Sequence, residues 1–509
     1  MYNKYTLKFV HLVSVISFLL LTISIQAQRN GDSFSFQGFD EPNDLSVRAL
    51  AGGGAYTATS GNLDALFYNP AGLAGIKKLQ ISISAASRSK SWQDNQIWYP
   101  GGSYLLLPQY MENLYTPPKE FNGIWSDSLG SPLGLSWNPA DFRQPVTGED
   151  PYSEEAADFE NTISNFGLNN IAVAYPFQLL NKNVVVSAAY SFSYGSVDFD
   201  WNGDHLDPHW GTSISLEGAA PQDSIVRSNW DVYTRERSLG TSTIKGGVGI
   251  QLSDLFELGV GITTIMGSTD DVMRLDRIGY FKFIQGGDNW SFSYENRSQI
   301  IKGTSDFSAT AFNTGGIITF DNLSLGINLQ LPYTIERDWS YNRVTNSAEG
   351  TTTEPIKGTD KMKIPLGYNL GIKFKPLKTL SVQFDYEHKP YGSSELTTTV
   401  GYENDSSQPV WQDQKTISAG VEFKVADNLS LLAGYRSRTA AFITYGAAIR
   451  NEGFPIESYT VGLSYQILIG TLDLAYEIRS LKYYDVYFTS RNYTMVTSSN
   501  LLVGYTISL

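Results

Sequence analysis

Apolar and polar residues alternate along many separate stretches of the chain from residue 79 to the C-terminus. In residues 362–374, apolar side chains occupy every even position from Met362 to Phe374, and polar residues or glycine fill most positions between them. Residues 323–331 and 380–387 show the same two-residue period. Because successive side chains of a strand point to opposite faces, this period predicts β-strands with one apolar face.

The connections between these stretches separate two kinds of β protein, since a soluble sandwich would also show the alternation. Tight turns are expected at 180–182, 253–255, 321–322, 376–379, 427–428 and 470. Long polar connections are expected at 91–167, 204–235, 269–305, 338–358, 390–408, 440–454 and 485–492. Short and long connections alternate strictly, which is typical of an outer-membrane barrel with tight periplasmic turns and long outer loops.

The pattern predicts an all-β fold, a transmembrane antiparallel β-barrel of about fourteen strands. The expected strands are 79–90, 168–178, 183–200, 236–252, 256–268, 306–320, 323–336, 359–375, 380–389, 409–425, 429–439, 455–469, 471–484 and 493–509. Strands of about 9 to 11 residues cross a bilayer when tilted. Closure of the sheet is required in lipid, because a closed sheet leaves no edge of unsatisfied backbone groups.

Two segments precede the first predicted strand. Residues 1–27 combine Lys4 and Lys8 with an apolar run and a small residue at Ala27, which predicts a secretory signal peptide. Residues 28–78 lack a strand period and contain many small residues and turn formers, with a short helical turn expected near 63–68, so they predict a compact plug. The barrel itself is expected to occupy residues 79–509.

Composition agrees with export to a membrane. The chain has 509 residues, of which only 17% are charged, and it contains 31 Tyr, 26 Phe and no Cys. An exported chain without disulfides must be held by hydrogen bonding and packing, as a large sheet is. The formal charge of −14 becomes more negative when residues 1–27 are removed, which argues against nucleic acid as a partner.

Charged residues on the polar phase of the predicted strands are expected to line the lumen. They are Lys363, Lys373, Asp385, Glu387, Arg436, Arg438, Asp473, Glu477 and Arg479. Both signs are present, which favours structural ion pairs over a selective ion site. The functional alternative is that Arg436 or Arg438 orients an anionic head group.

No catalytic or cofactor motif stands out. The pair His205 and His209 has one Asp between and no Cys or third His nearby, which is weak for a metal site, so no metal or cofactor is expected. His388 has no accompanying nucleophile motif, and the glycines at 52–54 are not followed by a phosphate-loop Lys. The acidic segment 148–161 is interpreted as solvated loop surface, with cation bridging to lipopolysaccharide as the alternative. The sequence therefore predicts a protein that is not an enzyme.

The stretch "RALAGGGAYTATSGNLDALFYNPAGLAGIKKLQIS", residues 48–82, resembles the N-terminal hatch of the FadL/TodX family of outer-membrane transporters for hydrophobic compounds. Asn69, Pro70, Ala71 and Gly72 match the Asn-Pro-Ala element that precedes the first strand in that family. Pro70 fixes its own φ and Asn69 before it is expected to be extended, with its amide bonded to nearby backbone.

The resemblance implies a monomeric barrel, inserted by the outer-membrane barrel assembly machinery and surrounded by outer-membrane lipids. Long-chain fatty acids or similar lipophilic small molecules are then expected to be captured at the outer loops, to pass the hatch and to leave sideways into the membrane. The candidate ligand-binding residues are Leu105, Leu106, Leu107, Tyr110, Met111, Leu114, Phe281 and Phe283. The first six lie in segment 104–118, which would otherwise be an exposed apolar patch.

The alternative function is a different use of the same barrel. FadL-like barrels also resemble the shuttle components of type IX secretion, which bind protein signal domains at their outer loops and transport no small molecule. An apolar outer groove would favour the transporter, and a flat polar outer surface would favour the shuttle.

Overall fold

The described part of the computed structural model comprises most of the sheet and most of the plug. It covers residues 34–39, 46–98, 125–127, 135–137, 150–157, 159–200, 209–210, 225–286, 289–347, 349–397, 411–441, 454–487 and 490–509.

Fourteen antiparallel strands form the wall of a closed barrel. They are β1 Gln80–Trp98, β2 Phe159–Leu179, β3 Lys182–Asp200, β4 Ile225–Gln251, β5 Phe256–Gly286, β6 Asn289–Phe320, β7 Leu323–Gln330 continued by Tyr333–Ser347, β8 Gly350–Ile364 continued by Gly367–Leu377, β9 Leu380–Lys389, β10 Gln414–Ala426, β11 Leu429–Thr439, β12 Pro455–Ile467, β13 Gly470–Tyr487 and β14 Ser490–Ser508. The first strand closes the sheet, because Gln80 lies opposite both Ala174 of β2 and Ser508 of β14. The predicted fold class is confirmed.

The remaining elements of the described residues are short. They include the helices α1 Val47–Ala51 and α2 Ala65–Tyr68, a 3₁₀ helix Pro70–Gly75 that follows α2, and a further 3₁₀ turn over Tyr391–Ser393. Short strand pieces occur at Trp125–Asp127, Leu135–Trp137, His209–Trp210 and Glu395–Thr397. Among the residues that the structure describes, none of the helices has the length and apolar content needed to cross a bilayer.

One end of the barrel carries the tight turns that the sequence predicts. Register pairs Leu179↔Lys182, Phe320↔Leu323 and Ile467↔Gly470 enclose two-residue turns. Leu180 and Asn181 both adopt positive φ, as two-residue hairpins with the twist of the strands require. This is the end near the plug.

The prediction of long outer loops is wrong for three segments. Residues 269–305, 338–358 and 485–492 are largely strand, and the hairpins close tightly at Gly286↔Asn289, Ser347↔Gly350 and Tyr487↔Ser490. The strands continue beyond the apolar band of the outer surface. Where the side chains of these extensions are described, the outward face is polar and the inward face carries apolar residues such as Met273, Ile301 and Trp339, so the pattern no longer indicates a lipid-facing strand.

Strand β6 shows both patterns, one at each end. Phe312, Ile318 and Phe320 are exposed on the outer surface, where lipid would cover them. Towards the other end of the strand the exposed positions from Lys302 to Thr310 are polar, while Phe307 is buried in the lumen. The barrel therefore extends past the bilayer as a tube with a polar exterior and a filled interior.

Strands β7 and β8 reverse their faces at two prolines. Pro332 and Pro365 lie in the gaps between the paired segments, since Gln330 pairs with Gly367 and Tyr333 with Ile364. Inward positions are separated by three residues instead of two across each gap. Proline lacks the N–H of a ladder hydrogen bond, which explains interruption at this site.

The reversal corrects the prediction for Lys363. Sequence alternation is continuous through residues 362–374, but Met362 faces the lumen whereas Phe374 faces outward. The side chain of Lys363 is 58% exposed on the outer surface and pairs with Glu395 at 3.1 Å. It does not line the lumen.

The plug lies inside the barrel. Helix α1 packs through Val47, Leu50 and Ala51 on inward side chains of β1, β11, β13 and β14. Leu63, Leu66, Leu73 and Ile76 form a second apolar cluster with small residues of β2 and β3. The barrel interior at this end is thus filled by the chain's own N-terminal segment, called the hatch below and defined as residues 46–76.

Candidate ligand cavity and hatch

The Asn-Pro-Ala-Gly motif ends α2 and begins the 3₁₀ helix of the hatch. Asn69 has φ −150° and ψ 106°, the extended conformation that a following proline requires, and Pro70 occupies the first helical position. The Oδ1 atom of Asn69 accepts a hydrogen bond from the N–H of Ala71 at 3.1 Å. The predicted local conformation of this motif is confirmed.

The amide of Asn69 also binds groups far away in the sequence. Its Nδ2 atom donates to the carbonyl of Thr57 in the hatch at 2.7 Å and to the wall carbonyls of Gly316 at 3.3 Å and Ile327 at 3.2 Å. Asn69 is fully buried. One side chain therefore joins two parts of the hatch to β6 and β7.

A carboxylate of the wall binds the hatch backbone on the neighbouring strands. Asp385 of β9 accepts hydrogen bonds from the N–H groups of Tyr56 at 2.7 Å and Thr57 at 2.8 Å. Lys373 of β8 donates to the hydroxyl of Thr59 at 3.2 Å. Both residues lie in the lumen and bind the hatch.

An ionic cluster lies on the other side of the hatch. Arg48 of α1 forms ion pairs with Glu422 of β10 and, at 3.7 Å, with Asp473 of β13. Burial of the Asp64 carboxyl raises its pKa to about 7, and the nearby Asp473 carboxylate adds to this shift, whereas Ser46 and Arg48 oppose it. The hatch thus contains a carboxyl group that titrates near neutral pH.

A cavity of about 270 Å³ lies above the hatch, on the side facing the barrel extension. One part of its surface is apolar: Phe39, Leu66, Phe67, Ile265, Ile335 and Ile364. Tyr333 and Pro365 border the cavity where β7 and β8 change faces. Such a volume suits a small ligand or a segment of a longer chain.

The rest of the cavity surface is polar and includes several charged side chains. Its cations are Lys245, Lys389, Arg436 and Arg438, its carboxylates are Asp385 and Glu387, and His388 borders it. Arg436 is paired with the buried Glu477 of β13, and Lys389 lies 3.4 Å from Glu387. The cavity therefore joins an apolar surface to a surface with more cations than anions.

The other predicted lumen charges lie outside this cavity. Asp473 lies beside Arg48, and Arg479 shares the inward phase of β13 with Glu477 and donates to the hydroxyl of Ser498 at 3.4 Å. Of the nine predicted lumen residues, Lys363 alone lies on the outer surface. Four of the nine line the cavity: Asp385, Glu387, Arg436 and Arg438.

The segment Phe34–Phe39 lies within the predicted plug but was not among the candidate site residues, and it fills the lumen beyond the cavity. Phe36 packs among Phe307, Ile335 and Met362. Arg237 of β4 donates through Nη1 to the carbonyls of Ser35 at 2.9 Å and Gln37 at 3.2 Å.

Arg237 belongs to a buried network. Its Nε and Nη2 atoms lie 2.7 and 2.9 Å from the two carboxylate oxygens of Asp271 on β5. Asp271 also accepts hydrogen bonds from Tyr341 at 2.6 Å and Ser305 at 3.0 Å. A bidentate pair with further donors is the arrangement in which a buried ion pair is tolerated.

The wall is incompletely paired between β2 and β3. In the described residues their ladder runs from Leu179↔Lys182 to Asn170↔Ser191 and stops there. Beyond this point β2 pairs with β1 and β3 with β4. Phe166 is 79% exposed beside this gap, and the amide of Asn165 donates to the carbonyl of Tyr194 across it at 2.8 Å.

The remaining candidates fall elsewhere. Segment 104–118 with its six candidate residues, the signal peptide at 1–27 and His205 lie outside the described residues. Phe281 and Phe283 belong to β5 instead of a loop. No cluster of three metal-ligating side chains occurs in the described part of the chain.

Comparisons with known proteins agree with this architecture. Residues 210–500, more than half of the chain, match the family model for outer membrane protein transport proteins (OMPP1/FadL/TodX). No curated protein matches the sequence.

Solved structures show the same fold at low identity. A Pseudomonas aeruginosa FadL homologue is 15% identical with a TM-score of 0.54, covering 89% of this chain and 95% of its own. The P. putida toluene transporter TodX is 12% identical with a TM-score of 0.54, covering 92% and 99%. The Ralstonia pickettii toluene transporter TbuX is 12% identical with a TM-score of 0.51, also covering 92% and 99%.

Proposed function

Because the chain belongs to the OMPP1/FadL/TodX family of outer membrane transport proteins, we propose that it carries lipophilic small molecules inward across the outer membrane. Members of this family are transporters and not enzymes. The compounds are captured at the outer loops, held in the cavity above the hatch and released sideways into the membrane.

The observation that carries the proposal is the two-sided surface of the cavity. Ile265, Ile335 and Ile364 offer a dry surface for a hydrocarbon chain or ring, and Arg438 and Lys245 offer positive charge for an acidic group. We therefore propose amphipathic acids, such as long-chain fatty acids, as the preferred compounds. Neutral aromatic hydrocarbons, named for the toluene transporters TodX and TbuX, are the second class to test.

Two features support the proposed route out of the barrel. The cavity is bounded below by Leu66 and Phe67 of the hatch, and Leu66 also packs with Ala172 of β2 and Ala189 of β3. The β2–β3 ladder stops close to this contact, at the Asn170↔Ser191 pair. A compound that leaves between these strands passes Ala172 and Ala189, then the polar end of the ladder at Asn170 and Ser191, and enters the lipid beside the exposed Phe166.

Segment 104–118 is proposed as the outer entry site. Its apolar residues, including Leu105 and Tyr110, lie in the connection between β1 and β2. Deletion of 104–118 is expected to lower the rate of uptake at low substrate concentration. Binding in the cavity of purified protein should be unchanged.

The type IX shuttle alternative remains as an outcome of the same experiment. Its activity depends on the outer loops and needs no ligand in the barrel. A barrel that only binds protein domains should keep that binding when a large side chain fills the cavity. A transporter should lose uptake of its substrate.

The test is a pair of adjacent substitutions on β6. Ala311 is buried and lines the cavity, and its neighbour Thr310 is exposed on the opposite face. Ala311→Trp should fill the cavity and reduce the uptake of radiolabelled oleate by proteoliposomes to the level of empty liposomes. Thr310→Trp, a change of similar bulk, should leave uptake near that of the unchanged protein.

A further variant, compared for oleate and for toluene uptake, distinguishes the two substrate classes. Arg438→Gln should raise the concentration of oleate needed for half-maximal uptake and leave toluene unaffected, because only oleate carries a carboxylate. If Ala311→Trp transports oleate as well as Thr310→Trp does, the cavity is not on the route and the proposal fails.

A further inference from the structure

The hatch follows the inside of the wall strand by strand. Val47 contacts β14, Ala51 contacts β12, and the backbone of residues 52–53 contacts β10 and β11. Thr57 contacts β7 and β8, and residues 69–74 contact β6, β5 and β4 in that order. The order of these contacts is the reverse of the strand order. The hatch backbone thus forms a ring inside the barrel.

Inward-facing glycines make this ring possible. On nine of the described strands a Cβ atom at such a position would lie within 3.0 Å of the hatch: Gly247, Gly249, Gly259, Gly315, Gly326, Gly371, Gly420, Gly434, Gly462 and Gly504. At Gly420 and Gly434 the colliding atoms belong to the backbone of Gly52 and Gly53. Only a residue without a side chain lets two backbones approach this closely.

Residues 60–68, including α2, do not run along the wall in this way. They leave the ring and return to it through a narrow neck, where the N–H of Gly61 donates to the carbonyl of Gly72 at 2.9 Å. The amide of Asn69 donates to the carbonyl of Thr57 at the same neck, at 2.7 Å. A segment whose ends are held this close is a compact loop, here called the central loop.

The central loop separates two cavities. Leu66, Phe67 and Tyr68 face the cavity above the hatch. Ser60 and Asn62 face a second cavity of about 260 Å³ on the other side, which is bordered by Arg48, Lys373 and Glu422. The ring contacts the wall backbone to backbone, whereas the loop touches the wall through apolar contacts with β2, β3 and β4 and a hydrogen bond from the N–H of Leu63 to Oε1 of Gln80 on β1 at 2.9 Å.

We propose that the ring is a permanent part of the wall and that the central loop alone moves to connect the two cavities. Asn69 holds the two ends of the ring together at the neck of the loop, because its amide binds both Thr57 and the wall. This inference does not depend on which compound the protein carries. The glycines position the ring, and the loop residues close the passage between the two cavities.

Single-channel conductance in planar bilayers tests the ring with a matched pair of neighbours on β6. At Gly315 a Cβ atom would overlap Oδ1 of Asn69, whereas at Gly316 the nearest atom is 3.5 Å away, an ordinary contact. Gly315→Ala should displace the ring and give a steady ion leak. Gly316→Ala should conduct as the unchanged protein does. Equal conductance of the two variants overturns the proposal.

Two further variants test the loop. Replacement of residues 62–68 by Gly-Gly should raise conductance at least about tenfold, as expected when a plugged barrel becomes water-filled, and should keep heat-modifiable gel mobility. Leu63→Ser with Leu66→Ser, which keeps the chain length, should give frequent brief openings. A closed barrel in both variants, or loss of heat-modifiable mobility in both, shows that the loop is not the moving part.

Discussion

The side-chain amide of Asn69 in the hatch donates a hydrogen bond to the main-chain carbonyl of Ile327 in β7, over a distance of 3.2 Å. The two residues are 258 positions apart. The motif that marks the entrance to the barrel in the sequence is thus a direct link between the hatch and the wall.

Asn69→Ala is expected to loosen the hatch without unfolding the barrel. It leaves the carbonyls of Thr57 and Ile327 without this donor in a buried place, a loss of about 2–4 kcal/mol in hatch docking. Hydrogen exchange of residues 46–76 should rise, and heat-modifiable gel mobility should persist. The exposed turn residue Asn322 provides the control, since Asn322→Ala should change neither measurement. Unchanged exchange in Asn69→Ala would contradict the anchoring role.

Docking of the hatch should weaken as the pH rises. The docked hatch raises the pKa of Asp64 from 3.8 to about 7, so the released hatch binds fewer protons than the docked one between these values. The loss of docking free energy that comes from ionising Asp64 is absent below about pH 4, grows until about pH 7 and is constant above it. Hydrogen exchange of residues 46–76 should follow this curve once corrected for intrinsic rates. Asp64→Asn should flatten it, and a curve that survives the substitution would assign the effect to another group.

Arg237→Gln should release the segment Phe34–Phe39 from the barrel extension. The substitution removes the donors to the carbonyls of Ser35 and Gln37 and leaves the Asp271 carboxylate buried without its cation, a loss of about 3–5 kcal/mol. Limited proteolysis should then cut near Phe34. Arg274→Gln on the exposed face of β5 is the control and should resist proteolysis as the unchanged protein does.

Single cysteines should distinguish the two faces of β8, because the chain contains no cysteine of its own. Lys363→Cys lies on the outer surface and should react with a membrane-impermeant maleimide on intact cells. Lys373→Cys lies in the lumen beside Thr59 of the hatch and should not react. Labelling of both or of neither would contradict the reversal of faces at Pro365.

The membrane band of the barrel could be predicted because its pattern is local. Alternation in residues 323–331 and 380–387 identifies both the strand and its lipid-facing side. The barrel extension could not be predicted in this way, since apolar side chains such as Phe307 and Trp339 there face inward. The apolar residues of β8 keep even numbers across Pro365 while the strand changes faces, so the sequence alone places Lys363 in the lumen.

The ring-shaped hatch depends on contacts between distant residues. Asn69 and Pro70 indicate a stiff corner, and the structure adds which strands that corner touches. The glycines that receive the hatch do recur on inward positions of many strands, for example Gly326, Gly371 and Gly434, yet a glycine in a strand has several uses. The cavity residues likewise come from separate strands, so only their inward phase was predictable.

The most direct test of the transport account is the position of a bound ligand. Crystals grown with 12-bromododecanoate should show an anomalous bromine peak inside the barrel, among Ile265, Ile335 and Ile364, with the carboxylate directed toward Arg438 or Lys245. Crystals of Ala311→Trp should lack that peak. Bromine peaks confined to the outer, lipid-facing surface of the unchanged protein would contradict the account.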